Sequence, residues 1–299
     1  MARSNSRLKI YELPATGVSR RRLISLACLG FLALGPLRLF SGSAAAASGA
    51  LSAEEQRSYL RLVYSGVDDE VIWSILGVKY GREGNELTPL WNTNTIGFSR
   101  ISYPEQGGYR VDTLEVVFYT DLVSGERLDI WHNPYTSREV EVIVPAPVAV
   151  TSFHAGVGPS ERTSAGGIRI AESVQPPRTI GGDTWVQVEK RIAVTPESAR
   201  APVFASTEFI DYRGRTADLH SEAPRVASTL HLEIVSDWLP WMEMSDRPGG
   251  LYTRARGAKL FALDDVPAAS LELLERHYPE IARDPFGYMS RAPVAAQGP

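Results

Sequence analysis

The strongest constraint on the fold is a strict two-residue alternation of side-chain types within Gly108–Thr120. Leu114, Val116 and Phe118 would lie on one face of this segment. The opposite face would carry Val111, Thr113, Glu115, Val117 and Tyr119. Successive side chains of a β-strand point to opposite faces, so this period of two predicts a strand.

Most of the remaining chain also favours strands. Segments rich in β-branched and aromatic residues recur at short intervals and are separated by turn residues. They are Val71–Gly81, Leu128–Trp131, Glu139–Val144, Trp185–Val194, Val203–Tyr212, Ala227–Ser236 and Leu251–Arg256. Helices are few: one is predicted over Ala53–Val63, and another begins with Asp264 as its N-cap and Pro267 in its first turn.

Many short strands of this kind predict a mainly β fold. The expected form is an antiparallel, partly closed β-barrel, lipocalin-like or sandwich-like, with a few peripheral helices. A barrel of roughly eight to ten strands has room for one small ligand. Residues 145–183 are rich in proline and glycine, and we interpret them either as a linker between two halves or as a long loop over a pocket.

The first 47 residues have the order of a cleaved export signal. Ser19-Arg20-Arg21-Arg22-Leu23-Ile24 is close to the twin-arginine consensus, and an apolar run and a small-residue run follow it. Residues 1–47 are therefore predicted to be a Tat signal peptide, although an uncleaved anchor is the alternative. Residues 48–291 are expected to form a single β-rich domain, and residues 292–299 a disordered tail.

Export would make the Tat translocase a partner and would place the protein in the periplasm or outside the cell. Seven of the 31 Lys and Arg residues and one of the 35 Asp and Glu residues belong to the signal, leaving 24 basic and 34 acidic residues, a net charge of −10. So acidic a chain disfavours binding to nucleic acid or to anionic lipid, and no stable membrane anchor is expected after cleavage. Cys28, the single cysteine, leaves with the signal, which excludes disulfides, thiolate nucleophiles and Cys-ligated cofactors.

Two blocks of the sequence carry a family resemblance. They are Tyr119–Val142 (YTDLVSGERLDIWHNPYTSREVEV) and Trp238–Leu260 (WLPWMEMSDRPGGLYTRARGAKL). Both resemble domain of unknown function family 1838, many of whose members have Tat signals. The chain departs from the family pattern at Ser124, at Ser137-Arg138, and at Arg254 and Arg256. The resemblance implies one exported domain and brings no established activity with it.

The densest polar and aromatic cluster is Trp131-His132-Asn133-Pro134-Tyr135. At a barrel mouth, His132 and Tyr135 would be candidate catalytic groups, with Trp131 and Asn133 as substrate-binding residues. The alternative is a hairpin turn, because Asn-Pro initiates turns and the remaining residues have structural explanations.

His231 and Glu233 are two residues apart on a predicted strand, so they share a face. If that face lines a cavity, they form a catalytic acid/base pair; otherwise they belong to a solvent-facing strand side. Iron ligation by these two residues with His277 is a weaker interpretation.

Two further features suit a ligand. Trp241, within Trp238–Met244, would supply an apolar wall, unless this segment only fills the core. Arg254 shares a strand face with Arg256 and would clamp an anionic group. Lys79, Lys190 and Lys259 are the lysines left after cleavage, and each is either a Schiff-base candidate or simply exposed.

The chain lacks the glycine-rich nucleotide motifs, the G-x-S-x-G elbow and H-E-x-x-H. We therefore expect no cofactor and no metal. The favoured hypothesis is an exported enzyme, a lyase, isomerase or hydrolase, that acts by general acid/base catalysis on a small apolar or aromatic molecule in a barrel pocket. The alternatives are a non-catalytic periplasmic small-molecule binding protein and a metal-dependent enzyme.

Overall fold

A computed structural model describes residues 51–164, 167–195, 203–244, 247–292 and 295–296. The predicted signal peptide, residues 1–47, lies outside the described residues. The described fold is mainly antiparallel β, as the sequence predicts, with a curled half-barrel sheet and a few helices. None of the described helices is long and apolar enough to cross a bilayer.

In the described residues one helix precedes the strands, a short helix lies between the eleventh and twelfth strands, and three helices follow the thirteenth. The helices are α1 Ala53–Val63, α2 Thr216–Leu219, α3 Ala268–His277, α4 Pro279–Arg283 and α5 Pro285–Arg291. The strands are β1 Asp69–Glu83, β2 Glu86–Ser102, β3 Tyr109–Thr120, β4 Ile130–Asn133, β5 Arg138–Glu141, β6 Ala149–His154, β7 Ser160–Ser164, β8 Ile168–Val174, β9 Arg178–Ile180, β10 Asp183–Val194, β11 Phe204–Arg215, β12 Thr229–Ser236, β13 Gly250–Leu260 and β14 Ala295–Ala296.

The main sheet has the strand order β6-β3-β2-β1-β13-β12-β11-β10-β8-β7, with β14 added to β6 and β9 to β10. Strands β6 and β7 are consecutive in sequence, although they lie at opposite ends of this order. Val117 of β3 and Ile170 of β8 nevertheless belong to one core. The sheet therefore curls until its two ends approach each other and enclose a lumen on its concave face.

Three apolar layers hold this sheet together. Helix α1 closes one end of the lumen with Leu62, Val63 and Tyr64, which we call the α1-end core. The Trp cap, a cluster around Trp91, Trp131 and Trp241, closes the other end. The outer core lies on the convex face, where α3–α5 cover β1–β3.

Several sequence expectations are confirmed. Helix α1 has the predicted bounds, and its N-cap Ser52 forms a reciprocal capping box with Glu55. The hairpin predicted around residues 132–138 is present as β4 and β5, a separate two-stranded sheet.

Other expectations are wrong. Residues 145–183 are neither a linker nor one long loop, because β6, β7, β8 and β9 lie within them and the proline and glycine residues fall between these short strands. Strand β2 was not predicted at all. The C-terminal helix α3 begins at Ala268 with Pro267 as its N-cap, while Asp264 lies in a preceding 3₁₀ turn. The disordered tail over residues 292–299 stays a prediction; within it, Ala295–Ala296 pairs with β6 in parallel.

Candidate functional site

A row of charged side chains crosses the middle of the lumen. Strand β10 places Val186 and Val188 in the α1-end core and Ile192 and Val194 in the Trp cap, with Lys190 between the two pairs. Strands β8, β11 and β3 repeat this arrangement with a glutamate at the central inward position. We call these residues the luminal belt: Lys79, Glu115, Glu172, Lys190 and Glu208.

The strand register explains why most of the belt meets. Lys190 is paired with Glu172 of β8 on one side and with Glu208 of β11 on the other. The same cross-strand row continues from Glu208 through Ile234 and Thr253 to Lys79 of β1. Directly paired residues of a sheet point to the same face, so the whole row projects into the lumen.

Lys190 is the central cation of the belt. Its Nζ lies 3.8 Å from Glu172 Oε2 and 3.9 Å from Glu208 Oε2, and all three side chains are buried. Burial raises the pKa of both carboxyl groups, and the positive charge of Lys190 opposes that shift. Because an unpaired buried charge is costly, Lys190 is the counter-ion that lets this pair of glutamates remain inside the barrel.

The acidity of Glu115 is strongly altered. Burial raises the pKa of its carboxyl group to about 8, the negative charge of Glu208 adds to the rise, and Lys190 opposes it. At neutral pH this group is therefore mainly a neutral carboxylic acid. A neutral carboxylic acid can donate a proton, and a neighbouring carboxyl group can accept one when it is ionised.

A cavity of about 80 Å³ lies against the belt. Lys79, Glu115 and Glu208 contribute its charged side, and Thr253 lies beside them. The apolar part of its wall is formed by Ile75, Val117, Tyr119, Phe204, Leu232, Ile234, Leu239 and Ala255. The cavity thus combines an apolar wall with a few convergent polar groups, which is typical of small-molecule sites.

Two polar atoms on this wall lack a hydrogen-bond partner among the described residues. They are Glu208 Oε2 and Thr253 Oγ1, and both atoms are buried. Buried polar atoms are nearly always satisfied by protein, water or ligand. Glu208 Oε2 keeps its ion pair with Lys190 at 3.9 Å, and we call Glu208 Oε2 and Thr253 Oγ1 the two orphan atoms because no hydrogen bond to them is found among the described residues.

A β-bulge lies beside Lys79. Lys79 pairs with Trp91, but the next residue, Tyr80, pairs with Pro89, so Leu90 is the extra residue of β2. Bulges re-aim side chains and are frequent next to active sites. The Nζ of Lys79 lies 5.7 Å from the centre of the Tyr119 ring, on the cavity wall.

The interpretation of the three lysines as exposed is wrong, because Lys79, Lys190 and Lys259 are all buried. Lys259 is remote from the cavity and anchors α1. Its Nζ donates to the carbonyl oxygens of Arg61, Leu62 and Tyr64 at 2.6, 3.0 and 2.9 Å. Burial lowers the pKa of Lys259 to about 7, whereas three acceptors at a helix C-terminus favour its ammonium form.

The edge strands β7 and β6 contribute two more basic side chains, Arg162 and His154. The guanidinium nitrogens of Arg162 are buried and have no hydrogen-bond partner among the described residues. Burial lowers the pKa of Arg162 to about 10, and the charge of Glu172 opposes that shift. His154 stacks on Tyr109 with 4.5 Å between ring centres, and burial lowers its pKa to about 3, so it is neutral.

The residues predicted from the Trp131–Tyr135 cluster gather at the Trp cap. Trp131 and Trp241 meet Trp91 with ring centres 5.0 and 5.5 Å apart. Asn133 is fully buried and donates to the carbonyl oxygen of Met242 at 2.8 Å, which pins the β4–β5 hairpin to the chain around Trp241. Trp131, Asn133 and Trp241 therefore build the closed end of the lumen and do not line the cavity.

Tyr135 packs against this cap, over the face of Gly81 that is shared with the buried Leu251. It packs against Trp238 with ring centres 5.3 Å apart, and the Arg247 guanidinium lies 4.8 Å from its ring. A Cβ at Gly81 would lie 1.9 Å from the Tyr135 hydroxyl oxygen, so only glycine leaves room for this ring. His132 is exposed on the opposite face of β4 from Trp131.

The second predicted group, His231, Glu233 and Arg254, lies on the convex face of the sheet. His231 Nε2 is 3.8 Å from Glu233 Oε1, and Glu233 pairs with Arg254 in the register of β12 and β13. Leu230, Leu232 and Ile234 occupy the inward positions of β12 instead. The structure thus brings these three residues together, but on the other side of the barrel wall from the cavity.

His277, the third residue considered as an iron ligand, lies on α3, where its Nδ1 is 2.9 Å from an Arg127 nitrogen. Among the described residues, no three His, Cys, Asp or Glu side chains are arranged to hold a metal ion.

A larger depression of about 240 Å³ lies outside the barrel, between α1 and residues 221–224. One of the two arginines that line it, Arg61, already donates to the carbonyl oxygens of Leu219, Ser221 and Ala223. These bonds hold a loop against α1, so they give Arg61 a structural role. We therefore place the candidate site in the lumen.

Sequence reasoning missed the carboxyl groups of the belt, although a signal was present. In Asp183–Val194, Lys190 is a charged residue in an inward series that is otherwise apolar. Glu115, Glu172 and Glu208 occupy equivalent positions in their strands. A single charge in the middle of an apolar alternation marks a polar layer inside a β-barrel.

The comparisons with known proteins agree with the resemblance seen in the sequence. The model of the family described as "Protein of unknown function (DUF1838)" matches residues 82–295. No curated protein matches the chain. The matched region contains every residue of the belt except Lys79, and the chain belongs to this family of unknown function.

Proposed function

We propose that the lumen is the active site of an enzyme, a lyase, isomerase or hydrolase, that uses general acid/base catalysis by its own side chains. The observation that carries this proposal is the position of Glu115, a half-buried residue whose carboxyl group lies on the cavity wall beside a second carboxyl group, that of Glu208. Glu115 would donate the proton and Glu208 would accept one. The substrate would be small and mostly apolar, because the remaining wall consists of aliphatic and aromatic side chains.

Isotope incorporation tests this proposal before any substrate is known. The folded protein is incubated with a library of small apolar and aromatic compounds, in D₂O for proton transfer or addition and in H₂¹⁸O for hydrolysis. We expect label in at least one compound, lost in Glu115→Gln and kept in Glu139→Gln, a matched change on the exposed side of β5. Equal labelling by the two variants contradicts the proposal.

A non-catalytic binding protein is the second candidate, favoured by the two orphan polar atoms on the cavity wall. Native mass spectrometry of the exported protein distinguishes it. A bound organic molecule that no condition converts, and that remains bound in Glu115→Gln, supports binding without catalysis.

Export through the Tat pathway remains a proposal as well, supported by Arg20 and Arg21 in their sequence context. Replacing both by lysine keeps the charge. We expect the precursor to accumulate in the cytoplasm, measured by cell fractionation; unchanged export would contradict the proposal.

A further inference from the structure

We propose that Lys79 is the nucleophile of the luminal site and forms a Schiff base with the carbonyl group of a small aldehyde or ketone. This inference rests on the proposed function in placing the site in the lumen. It adds a substrate class and a covalent step.

The position of Lys79 in the cavity wall leads to this assignment. Lys190 and Lys259 are not among the described residues that line the cavity. Lys79 is the lysine of these three that lines the cavity. Lysine becomes a nucleophile when it is desolvated and has a base close by, and Lys79 is buried on the same wall as Glu208.

The local structure of β1 and β2 supports the same assignment. The bulge at Leu90 of β2 lies directly after the Lys79–Trp91 pair, so the regular pairing of β1 with β2 is interrupted next to the lysine. On the other side, Lys79 pairs with Thr253, whose Oγ1 is one of the two orphan atoms. A carbonyl oxygen in the cavity would therefore find a hydroxyl donor next to the attacking amine.

The belt supplies the proton transfers that imine formation needs. The Lys79 ammonium gives a proton to the Glu208 carboxylate, and the free amine attacks the carbonyl carbon. A C–N bond forms while the C=O π bond opens, and Glu115 protonates the oxygen. The nitrogen returns one proton to Glu115, the hydroxyl takes the proton held by Glu208, and the C–O bond breaks to release water. The products are a protonated imine and one water molecule, and no oxidant or reductant is required.

Reductive trapping tests the proposal on the wild-type protein. The probe is butanal, a small apolar aldehyde, with sodium cyanoborohydride to reduce any imine to a stable secondary amine; peptide mapping then locates the butyl groups. We expect Lys79 to be modified roughly tenfold or more faster than Lys190, Lys259 or the α-amino group. The urea-unfolded chain is the control, in which the lysines should react alike.

Variants separate this proposal from the acid/base function. Lys79→Arg keeps the charge and should lose the luminal adduct, and Glu115→Gln should slow trapping at Lys79 by roughly a hundredfold. Trapping at Lys79 no faster than at the other amines overturns the Schiff base. If isotope labelling still depends on Glu115 in that case, the acid/base function stands alone. If Lys79 is trapped but labelling ignores Glu115, the nucleophile stands and the acid/base role of Glu115 falls.

Discussion

At the scale of single residues, the charge inside the lumen depends on which of its side chains are protonated. Glu115 has a pKa near 8 in the folded protein against an ordinary value of 4.5, because it is buried and faces Glu208. Between these two values the folded state holds a proton that the unfolded state has lost. Stability therefore falls as pH rises from about 4.5 to about 8, by at most about 1.4 kcal/mol per pH unit from this group.

Glu115→Gln removes this dependence. We expect the free energy of unfolding of the variant, relative to wild type, to increase steadily between pH 5 and pH 8, measured by urea unfolding at each pH. Glu172, Glu208 and the neutral His154 are present in both proteins, so their contributions largely cancel. A difference that stays constant across this range would show that Glu115 ionises normally.

The sequence predicted the strand that contains Glu115 and also the face that it shares with Val111 and Tyr119. It did not show that this face is a lumen, because β7 and β8, which close the wall opposite β3, lie among proline and glycine residues. Strand β2 was not predicted from the sequence, for a related reason. Thr93 and Thr95 face the cavity, while Asn94 faces outward and donates to Ser270 of α3, so neither face has an apolar period.

At the scale of elements, α1 depends on Lys259. Replacing Lys259 by methionine leaves the carbonyl oxygens of Arg61 and Tyr64 without this donor inside the α1-end core, while the Leu62 oxygen keeps the hydroxyl of Ser228. We expect a loss of about 2–4 kcal/mol in the free energy of unfolding. Arg256→Met, an exposed change on the same strand, is the matched control and should cost little; equal effects would mean that the three hydrogen bonds contribute nothing.

The pairing of β1 with β13 depends on Gly77. A Cβ at this position would lie 2.4 Å from the Ala255 Cβ and 2.5 Å from the Arg254 carbonyl oxygen. Gly77→Ala therefore forces the strands apart, and we expect it to cost about 1–3 kcal/mol in chemical denaturation. Gly158→Ala, where a Cβ meets no atom within 4 Å, is the control. A tolerated Gly77→Ala would show that the wall next to the cavity yields easily.

At the scale of the whole molecule, the two faces of one sheet line two interiors, the lumen and the outer core. The inward side chains of β1–β3 build the lumen, and their outward side chains, among them Ile96 and Phe98, build the core beneath α3–α5. The residues predicted as sites lie on different sides of this wall. Trp131, Asn133 and Trp241 lie at the closed end of the lumen. His231, Glu233 and Arg254 lie on the convex surface. The sequence showed which residues share a face, but only the closure of the sheet decides which face is inside.

This sharing of strands predicts a single cooperative unfolding transition. Leu274→Ala removes a fully buried side chain from the outer core, and Leu62→Ala removes one from the α1-end core. Each change should cost about 2–5 kcal/mol. Because β1–β3 cannot lose one interior and keep the other, both variants should shift the transitions seen by tryptophan fluorescence and by far-UV circular dichroism together. Leu274→Ala could instead produce an early step in circular dichroism while the fluorescence of the Trp cap is unchanged. That result would mean that the helices and the barrel are separate folding units. The polar lumen would then be stabilised without the outer core.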